Sequence, residues 1–467
     1  MTMLVKIAFR NILRNGRRSL MTMSAIAVGA VALILFGAFM AYLTAGFQTN
    51  TVGRTGHLSV FRTGYFDFGA GNPAAYGIAD YRAVVALIAE DPVLKPMVNV
   101  VTPGVTLFGI AGNFALAASK TFFGSGVVPS DRDRMRHWDE YGIFRDRIVP
   151  DSGLRDDDET RGAIGVGLAR VLGLCQRLGL AECPPRPQSE NDASPDAAAP
   201  DELGALAQRD REGSEEAGDG GMPRLDLLAA TSSGAPNVLS LYVGKAEPQG
   251  VKELDDSVVV MHLALAQQLL YGRGEHKAVA IVLQLRRSED MTAARARLVA
   301  LFHERGLDLE VRDFTELQPQ YKQVVGLFGA IFSFIAVIMG VIVLFTVVNT
   351  MSMSVMERTN EIGTARAIGV RRRGIRRQFL IEGWILGVIG ASAGLTLSFA
   401  FAVLINRAGL TWTPPGQAAA IPLRLMISGG TLIVSVWLGL VAIATIAALI
   451  PANRAARLPV VDALRHV

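Results

Sequence analysis

Four stretches of the chain stay apolar for longer than a globular helix needs: Leu20 to Leu43, Val324 to Val348, Ile381 to Ile405 and Leu425 to Ile450. A hydrocarbon core about 30 Å thick takes about 20 such residues at about 1.5 Å per residue, so each stretch is predicted to cross a membrane as a helix. None contains an internal Lys or Arg, and Glu382, where the third begins, is the single acid in them. Elsewhere the period changes. Residues 4 to 18 space Lys6, Arg10, Arg14 and Arg18 four apart, with Leu4, Ile7, Ala8 and Ile12 on other faces, which suits a helix lying among lipid headgroups. Between the first two spans, "GHLSVFRTGYF" alternates as a strand does, "DYRAVVALIAEDP" repeats as a short helix, and "VTLFGIAGNFALAASKTF" reads as two strands joined around Gly112-Asn113. Further on, "DSVVVMHLALAQQLLYG", "AVAIVLQL", "TAARARLVALFHERG" and "LDLEVRDF" alternate strand and helix, the pattern of an α+β domain.

The expected architecture is therefore a polytopic α-helical membrane protein, with four transmembrane helices and a large α+β extracytoplasmic domain between helices 1 and 2. The divisions are a basic helix at 1–19, spans at 20–43, 324–350, 380–406 and 425–450, an outer domain at 44–323, a cytoplasmic loop at 351–379, a short outer loop at 407–424 and a tail at 451–467. Within the outer domain, residues 183–221 are rich in Pro, Ala, Gly, Ser and acid and lack aromatics, so they are expected to be a low-complexity insertion that cannot bury enough apolar area to offset its ordering entropy. The basic start could also belong to a cleaved signal peptide. An apolar run of about 24 residues exceeds the usual signal core and no small-residue cleavage site closes it, so an anchor is expected.

Charge orients the spans. Lys6, Arg10, Arg14, Arg17 and Arg18 precede the first, Arg358, Arg366, Arg371, Arg372, Arg373, Arg376 and Arg377 separate the second from the third, and Arg454, Arg457 and Arg465 follow the fourth. Basic flanks are retained on the cytoplasmic side, which puts both termini there and the 44–323 segment in the periplasm of an inner membrane. That segment carries roughly 29 Lys and Arg against 38 Asp and Glu, so the formal charge of +4 hides two opposite halves. A nucleic-acid partner is not expected, because topology already accounts for the basic residues. Cys175 and Cys183 both fall in the outer segment; an oxidising compartment permits a disulfide between them, and two unpaired thiols are the alternative.

No catalytic residue and no metal site are expected. The six histidines are scattered, and neither C-x-x-C nor H-E-x-x-H occurs. Gly369 and Gly374 have phosphate-loop spacing, but Ile375 and Arg376 stand where a lysine and a hydroxyl are needed. Gly390-Ala-Ser392-Ala-Gly394 matches the G-x-S-x-G nucleophile pattern inside a span, where Gly383, Gly387, Gly390 and Gly394 are better read as a close-packing stripe.

The segment "ERTNEIGTARAIGVRRRGIRRQFLIE", residues 357 to 382, together with "PANRAARLPVVDALR", residues 451 to 465, and the start "NILRNGRRSLMT", resembles the permease subunits of the macrolide-exporter and cell-division FtsX-like superfamily of ABC transporters. The run "GHLSVFRTGYFDFGAGNPAAY", residues 56 to 76, is similar to the lipoprotein-release (LolC/LolE-like) branch, from which the 183–221 insertion departs. The resemblance implies a permease without a nucleotide-binding motif or cofactor of its own, with ATP and Mg on a cytoplasmic ABC ATPase dimer and a second permease copy or sister permease alongside. It implies a coupling helix in which Glu357, Arg358, Glu361, Ile362, Gly363, Arg366, Ala367 and Gly369 meet the ATPase. Extraction of a lipid-anchored or amphipathic substrate toward a periplasmic lipoprotein or lipid carrier is the expected function, with Phe36, Phe39, Met40, Phe328 and Phe332 as cavity-lining residues and membrane lipids as neighbours. The alternatives are a mechanotransmitting relay that regulates a cell-wall hydrolase, and export of peptides or antibiotics.

Overall fold

The computed structural model describes residues 2–69, 71–113, 116, 118–143, 149–180, 221–249, 252–274, 276–413, 420–427 and 430–459. The chain divides into two compact units: Met1–Ala45 with Gln320–Trp412 and Ile421–Val467 form one, and Gly46–Pro319 with Thr413–Ala420 the other. Helix α1 (Thr2–Arg14) is separated by Asn15 from the long helix α2 (Gly16–Thr55), so the basic start and the first span are distinct helices. Ala8 and Ile12 form the buried face of α1, while Ile7, Phe9 and Leu13 remain exposed beside its cations.

The second unit is built on nine strands among the described residues: β1 (Leu58–Arg62), β2 (Val98–Asn113), β3 (Ala118–Val127), β4 (Arg161–Gly165), β5 (Arg224–Ala230), β6 (Pro236–Glu247), β7 (Val258–His262), β8 (Ala280–Leu285) and β9 (Leu309–Asp313). β2 is long enough to serve two sheets. Its residues from Val105 onward pair with β3 on one edge, and Gly109 to Gly112 pair with β5 on the other. From β3 the ladder runs to β7, β4, β6 and back to β5, closing a ring of strands with no free edge. Alternate residues point inward: Leu225, Leu227 and Ala229 of β5, Leu241 and Val243 of β6, and Val259 and Met261 of β7 share one buried cluster. Short helices α5 (Val166–Val171) and α6 (Leu263–Tyr271) add Leu168, Leu265 and Leu269 to it. The other half of β2, Val98 to Gly104, joins β8, β1 and β9 in an open sheet covered by α3 (Tyr81–Glu90) and α7 (Met291–Glu304), whose Ile88, Leu298 and Phe302 are fully buried. Helix α4 (Pro129–Arg136) follows β3.

The strands expected around Gly112-Asn113 are longer than the pattern indicated, and Asn113 is still paired within β2. The expected insertion at 183–221 lies outside the described residues except Gly221, as does Cys183; Cys175 is buried.

In the first unit, α8 (Pro319–Glu357), α10 (Arg372–Ala408) and α11 (Gly430–Ala447), the last continued by α12 (Leu449–Arg457), complete a set of four helices long and apolar enough to cross a membrane. Helix α9 (Thr359–Ala367) sits between α8 and α10. The fourth span begins at Gly430, later than the expected 425, because Leu425 belongs to a loop: its backbone N–H and C=O are both held by the Asn406 side chain. The glycine stripe of α10 is a packing device. A Cβ on Gly383 would lie 2.5 Å from Ala448 Cβ, and one on Gly394 would lie 2.6 Å from both Ala27 O and Ala30 Cβ, so one end of the stripe admits the α11–α12 segment and the other admits α2. Ser392, the centre of the nucleophile-like motif, accepts a hydrogen bond from Trp437 Nε1 at 3.1 Å inside this packing.

Candidate functional site

The residues expected to meet an ATPase lie on and around α9. The helix before it ends at Glu357, Thr359 Oγ1 donates back to the carbonyls of Val355 and Met356, and the chain turns. Its far end is fixed by Gly369 at φ +106°, a conformation that side chains other than glycine resist. There the Gly369 N–H reaches Arg366 O and the Val370 N–H reaches Ala365 O, the paired bonds of a Schellman stop. Gly369 therefore serves as the stop of α9.

These residues divide into an inner and an outer set. Arg358, Ile362 and Gly363 are buried. Ile362 packs with Ile375, Phe379, Ala455 and Ala456. Arg358 Nη1 donates to both oxygens of Glu382, at 3.2 and 3.4 Å, its Nε donates to Glu361, and its guanidinium stands over the Phe379 ring. Glu382 also accepts from Asn11 Nδ2 at 2.7 Å. Both side chains of the Arg358–Glu382 pair are less than a tenth exposed, so each neutralises a charge that would otherwise be stranded in an apolar setting. A cavity of about 30 Å³ beside the pair, lined by Asn15, Ser354 and Arg358, is large enough for one water.

The outer set is Glu357, Asn360, Glu361, Thr364, Ala367, Ile368 and Gly369, all exposed. Two of its acids are engaged by the N-terminal cations: Arg14 hydrogen-bonds Glu361, and Arg18 pairs with Glu357. Partial burial raises the Glu361 pKa, but hydrogen bonds from Arg14 and Arg358 outweigh it and hold the carboxyl below its usual range. Arg366 reaches the carbonyl of Leu458, just beyond α12. Ile368 is 81 % exposed and leaves an apolar side chain at the tip of the turn. The arrangement is a short rigid helix, braced by four elements of its own unit, that presents a small mixed surface.

The pattern alone noted Glu382 merely as an acid where a span begins and did not connect it with Arg358. The available signal was its isolation, since an ionisable residue at the edge of an apolar span demands a partner. Arg14 and Arg18, expected among lipid headgroups, are tied to acids, as is Asn11.

Of the aromatic residues expected to line a cavity, Phe36 and Phe332 stack on each other with centroids 6.4 Å apart, and Phe39 meets Trp412 edge-on at 6.1 Å. Phe328 and Met40 are half-buried. No group of three or more His, Cys, Asp or Glu among the described residues is placed to hold a metal ion. A His57–Ser288–Glu140 chain in the β-rich unit has the composition of a catalytic triad but runs the wrong way. His57 Nδ1 accepts from the Leu285 N–H, which leaves its proton on Nε2 facing Ser288 Oγ, and Ser288 donates to Glu140 at 2.6 Å. His57 cannot take the serine proton in this arrangement.

Residues 333–460, which contain α9, the Arg358–Glu382 pair and α12, match the family described as FtsX-like permease C-terminal. The chain is similar to the macrolide export ATP-binding/permease protein MacB of Psychrobacter cryohalolentis, 32 % identical over 34 % of this chain and 22 % of the relative. It is also similar to the pyoverdine export ATP-binding/permease protein PvdT of Pseudomonas entomophila, at 30 % over 49 % of this chain and 33 % of the relative. MacB of Bdellovibrio bacteriovorus matches at 29 % over 48 % and 33 %. The chain thus spans about a fifth to a third of the length of these curated relatives.

Proposed function

We propose that this chain, whose membrane segment matches the FtsX-like permease family and resembles MacB and PvdT, is an ABC-transporter permease and that α9 is the element through which an ATPase drives it. The carrying observation is that α9 is locked to its own unit on one side and open on the other. Arg358, Ile362 and Gly363 belong to the lock; Glu361, Ala367 and Ile368, with Asn360 and Thr364, form the docking surface. A push on that surface passes through the buried Arg358–Glu382 pair into α10 and through the helix connection into α8. The ATPase is proposed to work as a dimer that carries ATP and Mg, with a second permease copy or a sister permease completing the transporter. The basic flanks favour a cytoplasmic α9 and a periplasmic β-rich unit in an inner membrane.

The transported substrate is proposed to be amphipathic, leaving the membrane on its outer side. The export of macrolides and of pyoverdine by which these relatives are named favours a small exported molecule. Release of a lipid-anchored protein to a periplasmic carrier rests on residues 56–76, and part of that run has a structural explanation. Gly56 has φ +68°, with Leu283 O only 2.6 Å from where a Cβ would be, and His57 holds the Leu285 N–H.

The test is co-purification of the full chain with its ATPase in nanodiscs, followed by ATPase assay and mass spectrometry of retained small molecules, lipids and proteins. Ile368→Asp is expected to lower permease-dependent ATPase stimulation at least about tenfold, since it puts a charge into a desolvated contact. Unchanged stimulation and unchanged co-purification would remove α9 as the docking element.

A further inference from the structure

The β-rich unit contains a cavity of about 380 Å³ that the transport reading does not use. Its lining brings together Arg54, near the end of α2, Arg132 and Arg136 of α4, and Lys245 and Glu247 of β6. Four cations therefore face one lining carboxylate; Asp133, which is not part of the lining, is a further acid near Arg132. Glu247 is already committed: Arg136 Nη1 donates to both its oxygens at 3.0 and 3.1 Å, and Lys245 Nζ lies 3.0 Å from Oε1. Lys245 also donates to Asp151 O, and Arg54 Nη2 donates to Gln249 O at 3.2 Å. Arg132 has no such commitment at Nε, which is inaccessible to solvent and has no hydrogen-bonding partner among the described residues. Burial first, then the neighbouring Arg136 and Arg54 charges, push its pKa down to about 10.

Folding does not gather three arginines around one glutamate for stability, because the cations repel one another and their desolvation is only partly offset. The same cluster becomes favourable when a multiply charged anion enters, since guanidinium forks match tetrahedral oxyanions in geometry and charge. We infer that this cavity is a binding site for a phosphate-type oxyanion, carried by a phospholipid headgroup or by a soluble phosphate. The donors left for it are the Arg132 guanidinium and the uncommitted edges of Arg54 and Arg136. Glu247 acts as an internal placeholder that holds the cations apart until the anion arrives. Arg54 follows the apolar run of the first span by only about three helical turns in sequence, which makes a headgroup source physically accessible. The inference does not depend on the role of α9.

The test uses the full purified chain, without an ATPase, in nanodiscs of phosphatidylcholine. Inorganic phosphate is titrated in one arm and short-chain phosphatidic acid in the other, with calorimetry and native mass spectrometry as readouts. Wild type is expected to bind at least one probe saturably, and the arm that responds identifies the source. Arg132→Gln should weaken binding about tenfold or more, the value of one charge-assisted contact. Glu247→Gln should tighten it, because the anion then meets no internal competitor, and damage to the fold would not produce that gain. Absence of binding in both arms, or equal affinity in wild type and both variants, overturns the assignment.

Discussion

His57 illustrates how one buried side chain makes a stability profile depend on pH. Burial lowers its pKa from the ordinary 6.5 to about 4, while the unfolded chain titrates near the ordinary value. Above pH 6.5 neither state carries the proton and the full stability is present. As pH falls from 6.5 toward 4 the unfolded chain gains a proton that the native state refuses, so stability drops by about 1.4 kcal/mol per unit, reaching about 3 kcal/mol before levelling off. The carboxylates held low by their partners, Asp91 by Arg297 foremost, lose their contribution only below that window. Thermal melts of the full chain between pH 7 and pH 4 should show this slope, and His57→Gln should flatten it; an unaltered slope would show that the proton is taken elsewhere. Arg358 is the corresponding case in the other unit. Arg358→Ala leaves Glu382 buried and charged, and is expected to cost about 3 to 5 kcal/mol, whereas Arg358→Met with Glu382→Leu should recover most of that loss. If the double variant restores the melt but not ATPase stimulation, the pair is retained for transmitting force.

The helices show most clearly what the amino-acid pattern could and could not convey. Long apolar runs announce spans, and four-three-four glycine spacing announces a close contact. The contact itself involves two different partners, Ala448 at Gly383 and Ala27 at Gly394, which no periodicity within α10 could reveal. Gly394→Leu should therefore separate α10 from α2 and lower the melting temperature markedly, while Gly439→Leu, with no neighbour within 4 Å of its would-be Cβ, should leave it nearly unchanged. Equal effects at the two positions would count against the packing role. Strands were less legible. β5 carries clean alternation in Leu225, Leu227 and Ala229, but it is short, follows a low-complexity stretch, and owes its stability to a ring of non-local partners. The acid, the arginine and the stopping glycine of α9 could all be read directly. The inward turn of Arg358 could not, because its partner Glu382 lies 24 residues further along the chain, on the next span.

Across the chain the two units carry opposite charge, and this asymmetry yields the decisive prediction. Arginines at 14, 18, 358, 366 and 371–373 lie on α1, the start of α2, in and just before α9, and at the start of α10, all within one unit, whereas residues 44–323 carry an excess of acid. A bilayer discriminates strongly between such segments during insertion, so the face bearing α9 should be cytoplasmic and the β-rich unit should lie across the membrane. Ile368, 81 % exposed, and Phe68, 77 % exposed, are suitable reporters because neither has a side chain needed by its core. In a variant whose two native cysteines are replaced by serine, Ile368→Cys should react with a membrane-impermeant maleimide only after the cytoplasmic side is opened, and Phe68→Cys should react in intact spheroplasts. The reverse pattern would put α9 out of reach of any ATP-driven partner and end the coupling proposal, while leaving the anion cavity to be judged by its own titration. The two exposed pairs, Arg14 with Glu361 and Arg18 with Glu357, should also loosen as salt is raised, since screening acts on exposed charges within about a Debye length. The buried Arg358–Glu382 pair should not. Force transmission that survives high salt would therefore assign the load to the buried pair rather than to Arg14 and Arg18.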